Sequence, residues 1–217
     1  MLLNLLGMAA LIFLTYAFFT LFLRLVRSPN LIVKLLGGLL SGLLALASAA
    51  AFGAVLFGVW RVDAPRDRPV ADLKVAGSPE QVERGRTVAG ACISCHSSDG
   101  SPILNGGMTN LIAPLGPYGQ LYAPNLTPGG EVRNWSDGEI VRAIREGVDD
   151  QGVPLMLHPA TVYYWMDDAD AEALVAYLRS LPALRHDQPR RNLNLLGKLA
   201  VAAGLLPTSE LPPRPIP

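Results

Sequence analysis

Two long apolar runs near the N-terminus restrict the fold of this chain more than any other feature. Leu2 to Leu23 contains no charged residue, and Leu31 to Val59 contains only Lys34, near its start. Each run exceeds the roughly 20 residues that a membrane-spanning helix needs. A cleaved signal peptide is the competing interpretation of the first run, but such peptides have a basic start and a shorter apolar stretch. The sequence therefore predicts a retained two-helix transmembrane hairpin over residues 1–60.

The turn between the two runs predicts the orientation of this hairpin. Arg24, Arg27 and Lys34 are the only charged residues before Arg61. Basic loops stay on the cytoplasmic side of a membrane. We therefore expect the N-terminus, and everything after Trp60, to lie on the outer face.

The rest of the chain is polar enough to form a domain outside the membrane. From Arg61 onward it carries 15 basic and 18 acidic residues, and no basic run indicates a nucleic-acid partner. Residues 61–77 are rich in proline and charge, which is typical of a linker with some freedom to move. We expect this linker to hold residues 78–182 just off the membrane.

The pentapeptide Cys92-Ile93-Ser94-Cys95-His96 has the pattern C-x-x-C-H, which is the attachment site of a c-type haem. Two thiols three positions apart share one helical turn, so each can form a thioether with a vinyl group of the same porphyrin. His96 then follows as the proximal iron ligand. Cys92 and Cys95 are the only cysteines, so a zinc ribbon is excluded, and a thioredoxin-like motif would need a βαβ pattern around it. The sequence predicts one covalent haem c, which is attached outside the cytoplasm, in agreement with the predicted orientation.

The flanking sequence indicates helices separated by a long loop. Ser78 and Ser136 begin capping patterns, Asp167 caps the last helix, and Pro182 ends it. Residues 97–133 have little periodicity and much glycine and proline, and we expect this loop to wrap the haem edge. Side chains able to donate hydrogen bonds to the haem propionates are Tyr122, Asn125 and Trp135.

Residues 78–182 resemble the class I cytochrome c fold, and specifically the single-haem domains of bacterial membrane electron-transfer complexes and dehydrogenase cytochrome subunits. Besides C-x-x-C-H, the matching stretches are Tyr122-Ala-Pro-Asn-Leu-Thr-Pro128, Asn134-Trp-Ser-Asp-Gly-Glu-Ile140, Arg142-Ala-Ile-Arg-Glu-Gly147 and Ala176-Tyr-Leu-Arg-Ser-Leu-Pro182. The resemblance implies an all-α domain in which the first and last helices cross near the haem, with Gly85 against Tyr177 and Leu178. It also implies a bacterial inner-membrane protein with a periplasmic haem domain.

The second iron ligand departs from the family pattern. The family has Met-Pro shortly before the last helix, and this chain has His158-Pro159 at that position. The resemblance therefore implies His158 as the ligand, with Met156 as the alternative if the loop shifts; Met108, Met166 or an open site remain as further options. A second imidazole gives a lower reduction potential than a thioether.

These features predict a membrane-anchored c-type cytochrome that carries single electrons on the periplasmic face. Its expected partners are redox proteins or other subunits of a respiratory or photosynthetic complex, together with the lipid bilayer. The alternatives are the electron-accepting subunit of a periplasmic dehydrogenase, or a ligand-binding haem sensor or enzyme. The chain shows no catalytic motif of its own, and we expect it not to be an enzyme alone.

The C-terminal tail, residues 183–217, includes an apolar stretch from Leu193 to Leu206 that is too short to span a membrane. It is expected to lie on the membrane surface, against a partner subunit, or on the haem domain.

Overall fold

The computed structural model describes residues 2–186 and 188–213 of the chain. Its regular structure is mostly helical, as the sequence predicts for an all-α fold. The helices are α1 (Leu2–Leu25), α2 (Gly38–Asp63), α3 (Pro79–Val88), α4 (Ile93–His96), α5 (Asp137–Glu146), α6 (Ala160–Tyr163), α7 (Asp168–Ser180) and α8 (Leu195–Ala202). A π-helical segment, Val33–Gly37, leads into α2, and 3-10 turns occupy Ala89–Cys92, Ala113–Leu115 and Glu131–Asn134. Two short strands, β1 (Gly119–Gln120) and β2 (Asn192–Leu193), pair antiparallel.

Helices α1 and α2 form a hairpin, and each is long and apolar enough to cross a membrane, judged by length and composition. Small residues on α2 allow the two backbones to approach closely, because Gly38, Ser41, Ala45 and Ser48 are buried. The second helix continues through Asp63, beyond the expected end of the hairpin at residue 60. It continues because Val62 is fully buried against apolar residues from later in the chain.

A first hydrophobic cluster joins α3, α5 and α7. It is built on Ile140, Leu174, Val175 and Tyr177, all of which are nearly inaccessible to solvent. Capping boxes at Ser78 and Ser136 start α3 and α5 as the sequence predicts. Gly147 then ends α5 in the left-handed conformation that favours glycine. The first cluster therefore fixes the helices that carry the C-x-x-C-H turn.

The segment between α2 and α3, for which the composition predicts a linker, makes several contacts with later parts of the chain. The Arg66 N–H donates to the Gly152 carbonyl at 2.9 Å, and the Val75 N–H donates to Asp137 Oδ2 at 2.9 Å. Leu73 and Val75 pack against the first cluster. Composition alone does not show this, because the partners lie more than 60 positions away along the chain.

A second hydrophobic cluster joins the C-terminal end of α2 to the long loop and the C-terminal segment. Its buried members are Val62, Ile112, Leu121, Met156, Leu193, Ala200, Val201 and Leu206. Polar contacts reinforce it: Arg61 Nη2 donates to Thr208 Oγ1 at 2.9 Å, and Arg66 Nε lies 3.2 Å from Glu210 Oε2. The tail thus packs on both the haem domain and the hairpin.

The start of α7 allows a comparison of one buried and one exposed ion pair. Arg145, only 1% exposed, pairs with Asp168 and donates to the Met166 carbonyl at 2.8 Å. Arg84 pairs with Asp170 at 2.6 Å on the surface.

Asp168→Asn leaves a buried guanidinium charge uncompensated, and we expect it to lower the free energy of unfolding by about 3–5 kcal/mol. Asp170→Asn, the control, is expected to cost less than about 1 kcal/mol. Denaturant unfolding of the full chain in detergent measures both, and equal costs would contradict this prediction.

Candidate haem site

The C-x-x-C-H motif lies on a continuous turn that starts from α3. The 3-10 turn Ala89–Cys92 continues into α4, which ends at His96. Cys92 packs against the first cluster and Cys95 is exposed, and neither forms a disulfide. The two sulfur atoms therefore come from one helical turn, as attachment to one porphyrin requires.

His96 is held by the backbone of the long loop. Its Nδ1 lies 2.8 Å from the Pro124 carbonyl oxygen. Because a carbonyl only accepts, Nδ1 carries the proton, and Nε2 keeps a free electron pair. Burial lowers the pKa of His96 to about 4, although the Pro124 hydrogen bond acts in the opposite direction. A metal-binding imidazole must be neutral and oriented by its second nitrogen, and His96 meets both conditions.

His158 lies near this turn. A positive charge on His158 would lower the pKa of His96, so the two side chains interact electrostatically. His158 Nε2 lies 2.9 Å from the Ile144 carbonyl oxygen and carries the proton of that bond, which leaves Nδ1 free. Coordination through Nε2 would replace the hydrogen bond to Ile144.

Tyr163 completes the group of side chains around this space. Its ring centroid lies 5.5 Å from that of His158. Burial raises the pKa of Tyr163, and the nearby thiols of Cys92 and Cys95 raise it further. The structure therefore brings His158 and Tyr163 together with the C-x-x-C-H turn.

The methionine candidates have other surroundings. Leu157 adopts a left-handed backbone conformation with φ of 55°, and it separates Met156 from His158. Met156 is buried in the second cluster, where its backbone pairs with Thr208, while His158 bonds to Ile144 of α5. Met166 packs against the first cluster, and Met108 is 64% exposed.

The three predicted propionate donors differ in the hydrogen bonds that their side chains already make. Asn125 Nδ2 donates to the Leu184 carbonyl at 2.8 Å and to that of His186 at 3.2 Å, so both amide hydrogens are used and its observed role is to close the loop. These bonds argue against Asn125 as a propionate donor. Among the described residues, no partner binds the Tyr122 hydroxyl or the Trp135 indole N–H, and both remain candidate donors.

Sequence reasoning missed the residues that orient the two imidazoles. Pro124 lies within the Tyr122–Pro128 stretch, so the family pattern contained a signal for it. Ile144 acts through its carbonyl, for which the side chain gives no signal. Tyr163 lies on the short helix α6, and no motif in the sequence marks it.

The residues present fit a covalent haem. Cys92 and Cys95 would hold the porphyrin and His96 would hold the iron through Nε2. The bound haem supplies a one-electron couple between Fe(III) and Fe(II). The chain's own contribution would be to attach the group and to orient its ligand.

Comparison with known proteins supports this assignment. Residues 82–182 match the Cytochrome c family. The chain is 35% identical to a nicotinate dehydrogenase subunit of Pseudomonas putida over 154 residues, which are 67% of this chain and 13% of that protein. It is 34% identical to the gluconate 2-dehydrogenase cytochrome c subunit of Pantoea cypripedii over 103 residues, 44% of this chain and 22% of that protein. The chain spans less than a quarter of the length of either relative. Residues 82–182 are therefore a cytochrome c domain.

Proposed function

We propose that this chain is the membrane-anchored, electron-accepting cytochrome subunit of a dehydrogenase, with its haem domain on the periplasmic face of a bacterial inner membrane. The observation that carries the proposal is the C-x-x-C-H turn, in which the Pro124 carbonyl fixes His96 with Nε2 free. An imidazole held this way is committed to one metal-binding orientation, as a permanent haem ligand requires.

The relatives favour a dehydrogenase over a respiratory or photosynthetic complex. One is named as a subunit of nicotinate dehydrogenase and the other as the cytochrome c subunit of gluconate 2-dehydrogenase. In such an assembly another subunit oxidises the substrate, and this chain takes the electrons one at a time.

The placement in the membrane follows from the two ends of the hairpin. Asn4 Nδ2 donates to the carbonyl of Leu193 in the tail at 2.9 Å, and Leu193 shares the second cluster with Leu121 and Met156 of the haem domain. The haem domain therefore adjoins the end where α1 begins and α2 finishes. Arg24, Arg27 and Lys34 lie at the opposite end. Since a basic turn stays in the cytoplasm, the haem domain lies outside.

His158 is the sixth ligand in this proposal. It occupies the family's ligand position, and its ring lies 5.5 Å from that of Tyr163, on which the charges of Cys92 and Cys95 act. Burial also lowers the pKa of His158, which favours the neutral imidazole that binds iron. Met156 is retained as the alternative, and its burial in the second cluster is the argument against it.

The test begins with bacterial membranes that contain the full chain, with haem reduction followed by absorbance. Nicotinate and gluconate, the substrates in the relatives' names, are added to the membranes first, and other small organic substrates follow. Quinol oxidation is blocked during each addition. A dehydrogenase subunit is expected to be reduced by one such substrate under this block.

Cys92→Ala/Cys95→Ala is the control, and we expect it to retain no haem after acid-acetone extraction. Reduction by quinol alone would contradict the dehydrogenase assignment and return the chain to a respiratory complex. Haem extracted from the unaltered protein would contradict covalent attachment.

A further inference from the structure

Helix α8 packs directly against the outer ends of both long apolar helices. A β-carbon at Gly58 of α2 would overlap the Lys198 carbonyl oxygen, and one at Gly7 of α1 would overlap the Leu195 side chain. These two glycines let α8 approach closely. The contact therefore fixes the depth of α8 along the hairpin.

That depth lies within the apolar part of the hairpin. Gly7 comes five residues after the start of α1, and Gly58 comes five residues before the end of α2. At 1.5 Å per residue, both contacts lie about 7 Å inside the helix ends. Phe57 and Trp60, which stack at 5.8 Å and are both about half exposed, occupy the same level. Exposed tryptophan at a helix end is typical of a membrane–water interface.

One side of α8 is covered by the haem domain. Ala200 and Val201 belong to the second cluster, and a β-carbon at Gly197 would overlap the Tyr118 carbonyl oxygen. Its one charged residue, Lys198, lies 3.8 Å from Asp63.

The other side of α8 is apolar and open. Leu196, Leu199 and Ala203 recur at helical spacing, and Leu196 is 54% exposed. Leu205, which follows directly, is 68% exposed. An uncharged apolar face at this depth, beside helices whose leucines face the same surroundings, matches hydrocarbon and not water.

We propose that α8 lies in the outer leaflet of the bilayer, with Leu196, Ala203 and Leu205 inserted among the acyl chains. The inference rests on the membrane-spanning hairpin of the proposed function. The occupant of the open face is lipid, because the contacts at Gly7 and Gly58 place that face level with the lipid-facing parts of α1 and α2. The helix lies in the interface without spanning it, since its eight residues extend only about 12 Å.

An embedded α8 would fix the height and tilt of the haem domain. Arg191 of the tail already joins the domain to the outer end of α2, because it donates to the Pro154 carbonyl at 2.9 Å and lies 3.3 Å from Asp63. Insertion of α8 adds a second attachment point. A haem held at one height presents the same face to the partner that delivers electrons.

The test compares spin labels at three positions of equal exposure. Phe13, Val162 and Leu205 are each 68% exposed, and they lie on α1, on α6 of the haem domain and just after α8. The thioethers consume both native thiols, so each single cysteine variant (Phe13→Cys, Val162→Cys or Leu205→Cys) takes one label. The full holoprotein is placed in phosphatidylcholine vesicles. Collision of the label with molecular oxygen, which enters hydrocarbon, is compared with collision with a polar nickel chelate, which does not.

The labels at Phe13 and Leu205 are expected to show an oxygen-to-nickel collision ratio on the order of tenfold above that at Val162, because polar reagents are excluded from hydrocarbon. A lipid-like Phe13 label with a water-like Leu205 label overturns this inference and leaves the proposed function intact. A Leu205 label shielded from both reagents also overturns it, in favour of a protein partner such as a second copy. A water-like label at Phe13 overturns the membrane hairpin itself.

Discussion

Replacing His158 with alanine is expected to abolish the bis-imidazole signature of the oxidised protein. The chain has only three histidines, and His158 is the one at the family's ligand position, with its ring 5.5 Å from that of Tyr163. Near-infrared magnetic circular dichroism with EPR separates His/His from His/Met ligation. In His158→Ala the reduced protein should bind carbon monoxide rapidly, because the sixth position is open. In the unaltered protein binding should be slow.

Two controls decide between the ligand candidates. His186→Ala removes the third histidine, which is exposed, and should leave the spectrum unchanged. Met156→Leu should also leave it unchanged, since Met156 packs in the second cluster at 7% exposure. A thioether signature that disappears in Met156→Leu would overturn the assignment of His158.

His158→Met should raise the reduction potential of the haem by on the order of 0.1 V or more. Axial ligands shift this potential over a range of roughly 0.8 V.

Local signals were the reliable part of the sequence. The capping boxes at Ser78 and Ser136 and the stop at Gly147 depend on residues within one turn of each other, and the structure has all three. The C-x-x-C-H turn is equally local. The family pattern added the crossing of α3 with α7, which no short window of sequence contains.

Contacts between distant segments were the part that could not be predicted. The proline and charge of residues 61–77 say that the segment is not helical, but not that Val75 will bond to Asp137. The apolar stretch of the tail was compatible with the membrane surface, a partner subunit or the haem domain as its contact. Its position against α2 is seen only in the close approach of Lys198 to Gly58. Asn125 is a second example, at the site itself. Its residue type predicts that the side chain can form hydrogen bonds, but not which residues are its partners.

The choice between His158 and Met156 depends on a single backbone conformation. The two residues are separated only by Leu157, whose left-handed φ of 55° is unfavourable for a leucine and has no signal in the sequence. In the structure Met156 lies in the second cluster and His158 beside Tyr163.

Gly85→Ala is expected to destabilise the cytochrome domain strongly, although alanine is the better helix former. A β-carbon at Gly85 would overlap the Ala173 carbonyl oxygen and come within 2.8 Å of the Tyr177 β-carbon. Both are fixed parts of α7, so neither can move aside cheaply. Overpacking costs up to about 3 kcal/mol or more, whereas alanine gains at most about 1 kcal/mol in helix propensity. The net loss of about 2 kcal/mol corresponds to a fall in Tm of roughly 8–16 °C for a domain of this size.

Gly90→Ala is the matched control, because it lies just beyond α3 with no atom within 4 Å of its β-carbon. It is exposed, and its Tm should stay within about 3 °C of the unaltered protein, as for a surface substitution of about 0.5 kcal/mol or less. Thermal unfolding of the full holoprotein in detergent, followed by circular dichroism, measures both variants. Equal Tm values would mean that α3 and α7 do not cross in backbone contact at Gly85. The contact between α3 and α7 would then not be what positions the C-x-x-C-H turn, which continues directly from α3.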